Sequence, residues 1–500
     1  MSCHHDRAKK QILIWKRFPV SVPSEAPLST KRRWWVLAIV ALTQLVVVLD
    51  GTIVNIALPQ AQADLGLTDV ERQWVVTAYA LAFGALLLLG GRIADYWGRK
   101  RSFMVGMVGF GIASAYGGLI GTGIELIVAR GLQGLFAALM APAALAILTT
   151  TFPSGRERNT AFAVFGSIGG AGAAVGLVLG GVLTEFFSWR WCLLVNVPIV
   201  LVAMIAAAFL LRESKAEGDN KYDFLGTVLV AFGLGALVYG LTLAEHGWNS
   251  LGVWACLGAG VVLMALFFYS QSKIAQPLLP LRVIASRVRG GSLLLQMVSG
   301  SVMIGMMLYV TLHLQIVLGF SPLLAGVASL PLTIVISIVA PIATKLLPRI
   351  GPKPLMVAGP LIAAVGMVWL SGLTSTGGYL AEILPGMVLL GIGMAMLFVP
   401  MQNLALLGVE PHDAGAASAA NTAAMQIGGS IGLGIYTALY TAGSASGTGF
   451  DALVSGYSAV FIGTAVALVV GSIIAATFIR GPKETLMPMG EPAEKVLHLG

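Results

Sequence analysis

Charge is scarce in this sequence. Only 10% of its 500 residues are Asp, Glu, Lys or Arg, while 57% are hydrophobic. So few charges cannot cover that much apolar surface in water, and the mean hydropathy of +0.88 excludes a soluble fold. Cysteine is nearly missing as well. Cys3, Cys192 and Cys256 are odd in number, far apart and without a CxxC pair, which argues against a disulfide framework or a metal site. No P-loop signature is present, so direct use of ATP is not expected. Soluble signalling domains and channel-like rings of polar residues are also lacking, and nothing supports an enzyme.

What is present is a series of apolar runs of about 20 residues or more, each long enough to span a hydrocarbon core of about 30 Å. Such runs exclude barrel strands, which are short and alternate. Fourteen candidate spans fall between residues 34 and 479, joined by short loops. The 62 glycines lie mostly inside the runs, which suits close helix packing in lipid. All of the 30 Lys and Arg residues except Arg72, Arg130 and Arg190 fall in the tails or in alternate loops on the tails' side. Both termini are therefore expected in the cytoplasm. The formal charge of +8 is a topology signal rather than a nucleic-acid footprint. Residues 1–33 are polar and basic apart from Ile12–Trp15 and do not read as a cleavable signal peptide.

A weak internal repeat divides the chain. A shift of 253 residues lays Arg92 on Lys345, Gly98 on Gly351 and Lys100 on Lys353, equating spans 1–6 with spans 9–14. The expected organisation is a cytoplasmic tail (1–33), a six-helix bundle (34–211), an inserted helix pair with linkers (212–290), a second six-helix bundle (291–479) and a cytoplasmic tail (480–500). Two parallel halves with a path between them are a transporter plan.

Three stretches carry chemistry. The first is GGRIADYWGRKR (Gly90–Arg101), a dense charge cluster read as a short hinge loop between spans 74–92 and 102–122. Topology accounts for Arg99, Lys100 and Arg101 but not for Asp95 among them; in the second copy Pro348 stands at that place. The second is LDGTIVNIALP (Leu49–Pro59). Its Asp50 costs roughly 2.5–3.5 kcal/mol in a helix centre, so it is expected to face a cavity or a partner. Removal from water favours the protonated form of a carboxyl group, the property that proton coupling uses. A solvated acid at the outer mouth is the alternative. The third is RGLQG in span 4, where Arg130, Gln133, Gly134 and Ala137 share one helix face. At about 1.5 Å per residue, Asp50 and Arg130 both fall in the outer half of the membrane and could share a cavity; an Arg130 that snorkels to the interface is the alternative. In span 5, Gly172, Gly176 and Gly180 repeat every fourth residue, followed by Gly181. The seam they form can be fixed or sliding. Glu245, His246, His313 and Glu382 read as interfacial polar residues. Methionines in spans 9, 12 and 13 suit either a soft ligand lining or plain packing.

Together these motifs resemble the major facilitator superfamily, and within it the fourteen-span drug:proton antiporter branch, over nearly the whole chain. GRIADYWGRKR is similar to the loop 2–3 signature. LDGTIVNIALP, with Asp50, Thr52, Asn55 and Pro59, resembles the span 1 signature of that branch. RGLQG, with Arg130, Gln133 and Gly134, resembles the span 4 signature, and WRWCLLVNVP (Trp189–Pro198) the start of span 6. The chain departs from the family in span 5, where Gly176-Leu177 replaces a Gly-Pro pair, and in 415–440, which lack a second acid.

The resemblance implies an all-α polytopic membrane protein with two six-helix halves plus two inserted helices. It implies proton-coupled export of amphipathic drug-like compounds across the inner (plasma) membrane by alternating access. Asp50 is then the protonatable carboxylate and Arg130 its charge partner. Arg92 and Asp95 lock the cytoplasmic gate, Asp95 against the positive N-terminal end of a helix in the other half. Gly91 and Gly98 make tight turns. The implied partners are amphipathic small molecules and the lipid bilayer, with no nucleic acid and no cofactor beyond the proton gradient; an envelope adaptor protein stays open. A narrow-substrate exporter or importer of one metabolite or siderophore is the alternative.

Overall fold

The computed structural model describes residues 29–152, 155–215, 222–244, 248–409, 414–445 and 448–486. Long helices follow one another through them: α1 (Thr30–Leu65), α2 (Asp69–Trp97), α3 (Arg99–Leu119), α4 (Gly123–Thr151), α5 (Arg156–Phe186), α6 (Trp191–Leu210), α7 (Phe224–Leu243), α8 (Leu251–Lys273), α9 (Arg287–Val317), α10 (Pro322–Ile350), α11 (Pro352–Leu370), α12 (Tyr379–Ala405), α13 (Ala414–Ser444) and α14 (Gly449–Phe478). Thirteen are long and apolar enough to cross a membrane; the other, α13, has 31 residues rich in Ala, Gly and Ser. Water-side ends are fixed by polar side chains. Thr68 and Glu71 form a reciprocal capping box at the start of α2, and Thr122 and Glu125 form another at α4.

The helices overrun the expected spans. The stretch read as a hinge loop is mostly helix: α2 runs to Trp97, α3 resumes at Arg99, and only Gly98 breaks them. At φ 130° and ψ 134° this one glycine reverses the chain, so its neighbours keep their helical hydrogen bonds. His313, expected at an interface, is buried in the π-helical last turn of α9, its ring 6.0 Å from that of Tyr457. Glu245 and His246 lie outside the described residues. Met306, Met394 and Met401 are fully buried, so they serve as packing.

Helices α1–α6 pack among themselves, as do α9–α14, while α7 and α8 pair with each other and α7 leans on α2 and α13. The two bundles meet along α2–α13 and α5–α10. At the end away from the start of α1 this contact is closed. Leu323 N–H donates to Glu185 Oε2 at 2.9 Å, Gln315 Nε2 donates to Ile56 O at 2.9 Å, and one apolar cluster joins Ile53, Val54 and Val75 to Tyr309, Leu312 and Ala328. Toward the other end α5 and α10 separate, while α2 stays on α13 through Gly84 and Ala85. The face of α5 that meets α10 at Leu177 and Gly181 continues through Gly170 and Gly166, where an added Cβ would meet open space. Opposite, Ser337, Pro341 and Thr344 of α10 are exposed. A cleft therefore opens between the bundles at the end where α1 begins and α14 stops.

Candidate functional site

Asp50 sits in the middle of α1, wholly buried, and Arg130 on α4 is 2% exposed. Arg130 Nη1 donates to Asp50 Oδ2 at 2.6 Å, and the depth match read from the sequence is realised as a direct ion pair. Asp50 Oδ1 accepts from Gln133 Nε2 at 2.9 Å and from Asn196 Nδ2, on α6, at 2.8 Å. Arg130 is held in turn: its Nε donates to Val75 O at 3.2 Å, its Nη1 to Gln133 Oε1 at 2.8 Å, and its guanidinium lies 4.4 Å from the Tyr79 ring centre. Gln133 Nε2 also donates to Ser114 Oγ at 2.7 Å. Arg130 thus points into the bundle rather than out to an interface. Desolvating two charges is offset only when geometry and extra hydrogen bonds are this complete.

Helix contacts make this approach possible. Gly134 lets α4 lie against the backbone of α2 at Tyr79 and Phe83. Gly172, Gly176 and Gly180 face α1 at Val48, Thr52 and Ile53, so the seam packs within one bundle; Gly181 packs instead on Pro322 and Leu323 of α10. The backbone at Leu177, the motif's proline position, lies against Gly326. Other span 1 residues stay outside the cluster. Thr52 Oγ1 bonds Val48 O and Leu49 O, Asn55 Nδ2 donates to Gly51 O, and Pro59 is taken up inside α1.

The charged stretch forms a second constellation near the open end. Asp95 pairs with Arg99 at 3.1 Å, four residues on and across the Gly98 break. Among the described residues Asp95 bonds only Arg99, so the expected contact with a helix start of the other bundle is not formed at α9 or α11; residues 410–413, which lead into α13, lie outside the described residues. Arg92 donates to Tyr96 Oη and to Pro277 O, both at 3.0 Å, which ties it to the segment after α8. Gly91 makes no turn: it is helical, with Pro142 at 3.6 Å from a built Cβ. Lys100 Nζ donates to Ala208 O at 2.7 Å and Leu211 O at 2.9 Å, capping α6, where a cation is favoured. Reciprocally, Glu213 accepts from the N–H groups of Lys100 and Arg101 at 3.1 Å each, capping α3. Arg101 Nε lies 3.7 Å from the same carboxylate.

Asn196, Ser114, Tyr79 and Glu213 are partners that the sequence reading did not single out. Only Asn196 carried a signal: an amide inside an apolar run must find a partner when buried, and it lies within WRWCLLVNVP.

A buried ion pair inside one of two helical bundles that part around a cleft is the arrangement of a secondary transporter. A family model described as the Major Facilitator Superfamily matches residues 40–433, and the chain belongs to that superfamily as a multi-pass transporter of the plasma membrane. It is 44% identical over 455 residues to puromycin resistance protein pur8 of Streptomyces alboniger, covering 89% of this chain and 90% of that protein. It is 36% identical over 435 residues to cephamycin export protein CmcT of Amycolatopsis lactamdurans, covering 86% and 89%. The crystal structure of a POT family transporter in complex with a thioalcohol-conjugated peptide shares the fold, with a TM-score of 0.66 at 14% identity over 88% of this chain and 95% of that one.

Proposed function

We propose that this chain is a proton-coupled exporter of amphipathic drug-like compounds, with fourteen spans, both termini in the cytoplasm, and α7 and α8 inserted between two six-helix bundles. Drug export is the reading that the similarity to a puromycin resistance protein and a cephamycin export protein supports. The basic residues at the cleft's open end support a cytoplasmic opening. The observation that carries proton coupling is the buried Asp50–Arg130 pair at 2.6 Å. In the cleft-open state Asp50 is ionised and held by Arg130, Gln133 and Asn196, and the cleft takes up drug from the cytoplasm. In the opposite state a proton from outside neutralises Asp50, loosens its grip on Arg130, and drug leaves. The gating segment then acts through Arg92, Lys100 and Gly98, with Asp95 and Arg99 as its internal ion pair.

The test is proton-driven ethidium transport in everted vesicles, wild type against Asp50→Asn at equal protein level. Wild-type transport that the substitution abolishes is expected; transport that survives moves the proton site away from Asp50. A narrower exporter is favoured by one observation, that both relatives are named for a single antibiotic. Transport of one antibiotic without ethidium would select it.

A further inference from the structure

Three side chains donate to Asp50, and they differ in what they can do when it takes up a proton. Arg130 only donates. The Gln133 amide is committed at both ends: its Nε2 serves Asp50 and Ser114, and its Oε1 accepts from Arg130 at 2.8 Å. Turning it over would set its oxygen against the carboxylate and its nitrogen against a guanidinium. Asn196 is wholly buried, its Nδ2 donates to Asp50 Oδ1 at 2.8 Å, and its Oδ1 is buried without a partner. The amide orientation follows from charge, because an oxygen turned toward the carboxylate would be repelled.

A protonated Asp50 presents an O–H that needs an acceptor among the buried side chains around it. Asn196 Oδ1 is the free acceptor on the partner that is already in contact. We infer that Asn196 is the positioning residue that follows the protonation of Asp50, donating Nδ2–H to the carboxylate and, after the amide turns over, accepting the carboxylic O–H at Oδ1. The inference rests on the proposed reading of Asp50 as the proton site. The proton comes from water outside and returns to water in the cytoplasm; no bond other than the O–H forms or breaks. Arg130 keeps Val75 O, Gln133 Oε1 and the Tyr79 ring when Asp50 is neutral, so its charge is never left bare. The other titratable groups facing Asp50 are Tyr79 on α2 and Cys192 on α6. Neither bonds its carboxylate: Tyr79 Oη lies at hydrogen-bond distance from Val47 O and Cys192 Sγ from Thr184 Oγ1. Asn196 also sits at the start of the helix whose last carbonyls Lys100 holds, so its turnover is felt on an element that reaches the gating segment.

The test is infrared difference spectroscopy of the full-length protein in proteoliposomes across a pH jump, with transport measured in parallel. In wild type, a carboxylic C=O band that is lost in Asp50→Asn should appear together with a shift of an asparagine amide C=O band. In Asn196→Leu the amide shift should vanish and the Asp50 band should move toward the frequency of an unbonded acid. Maximal ethidium transport should fall about tenfold, the loss of one hydrogen bond to a charged group, at unchanged half-saturation. Asn196→Ser, whose hydroxyl both donates and accepts, should restore most of the rate and guards against a variant that fails to fold. An amide shift that persists in Asn196→Leu, or an Asp50 band that stays in place, overturns the role of Asn196 while leaving Asp50 as the proton site. No Asp50-dependent carboxyl band in wild type overturns the proton reading itself.

Discussion

The two bundles are built alike at their ends and unlike at their centres. In each, an arginine at the start of the first helix caps the last helix: Arg32 Nε donates to Leu210 O at 3.1 Å, and Arg287 Nη2 to Thr477 O at 2.8 Å. In each, a glycine at positive φ links the second and third helices, Gly98 at 130° and Gly351 at 80°. The centres differ. The first bundle buries an ion pair with its amide partners. Among the described residues the second buries no acid, lysine or arginine and holds instead pairs such as Tyr309 with Thr437 at 3.1 Å and Ser301 with Tyr436 at 3.3 Å. A common scaffold thus holds one bundle with a carboxylate–guanidinium pair at its centre and one without. That division suits the proposed reading, in which Asp50 takes up the proton and the second half supplies shape.

The largest test of this contrast is Arg130→Leu. It leaves the Asp50 carboxylate buried with two amide donors, and breaking a buried pair from one side costs about 3–5 kcal/mol. Thermal unfolding in detergent should show that loss, whereas the double variant Asp50→Leu/Arg130→Leu should recover most of it and still transport nothing. Tyr309→Phe, the matching cut in the second bundle, should cost only about 1 kcal/mol for one neutral hydrogen bond. Equal costs for Arg130→Leu and Tyr309→Phe would erase the distinction between a charged and a neutral centre.

The hinges offer a sharper comparison. Gly98→Ala and Gly351→Ala both force an L residue to positive φ, about 1–2 kcal/mol each. At Gly98 the new methyl also meets the Glu213 carboxylate, whose Cδ lies 2.6 Å from a built Cβ. Gly98→Ala should therefore unfold at a lower temperature than Gly351→Ala, and adding Glu213→Ala should bring the two level. If Gly98→Ala is no worse from the outset, the Glu213 clamp yields freely and the hinges are equivalent.

Much of this was legible in the sequence, and the reasons for what was not are physical. An acid and an arginine inside apolar runs are costly enough to announce themselves, and helix rise alone put Asp50 and Arg130 at one depth. The small-residue face of α5 and the α4 motif were visible because spacing on a helix is regular. Asn196 stood within a recognised stretch, yet which of many polar residues turns toward Asp50 depends on the rotation of α6, and no periodicity reports that. The charged stretch read as a loop because Gly, Arg and Asp outnumber apolar residues there. It is helix because a single glycine suffices for the reversal. Glu213 was invisible for a different reason: its partners are backbone N–H groups, which carry no sequence signature.

The smallest effect is expected at Glu213 itself, and it separates two ways of holding a helix start. Its side chain is 31% exposed and caps α3, and no matching acid caps α11 among the described residues. Glu213→Gln keeps an oxygen able to accept from Lys100 or Arg101 N–H but removes the charge that the helix start favours, a loss of about 0.5 kcal/mol at low ionic strength. At 1 M salt, where screening acts within about 3 Å, wild type and variant should unfold together. A difference that survives high salt would mean that the carboxylate acts through its two hydrogen bonds rather than its charge. The first bundle's charged segment would then be distinguished from Pro352–Lys353 by bonding geometry, with the electrostatic asymmetry confined to Asp50 and Arg130.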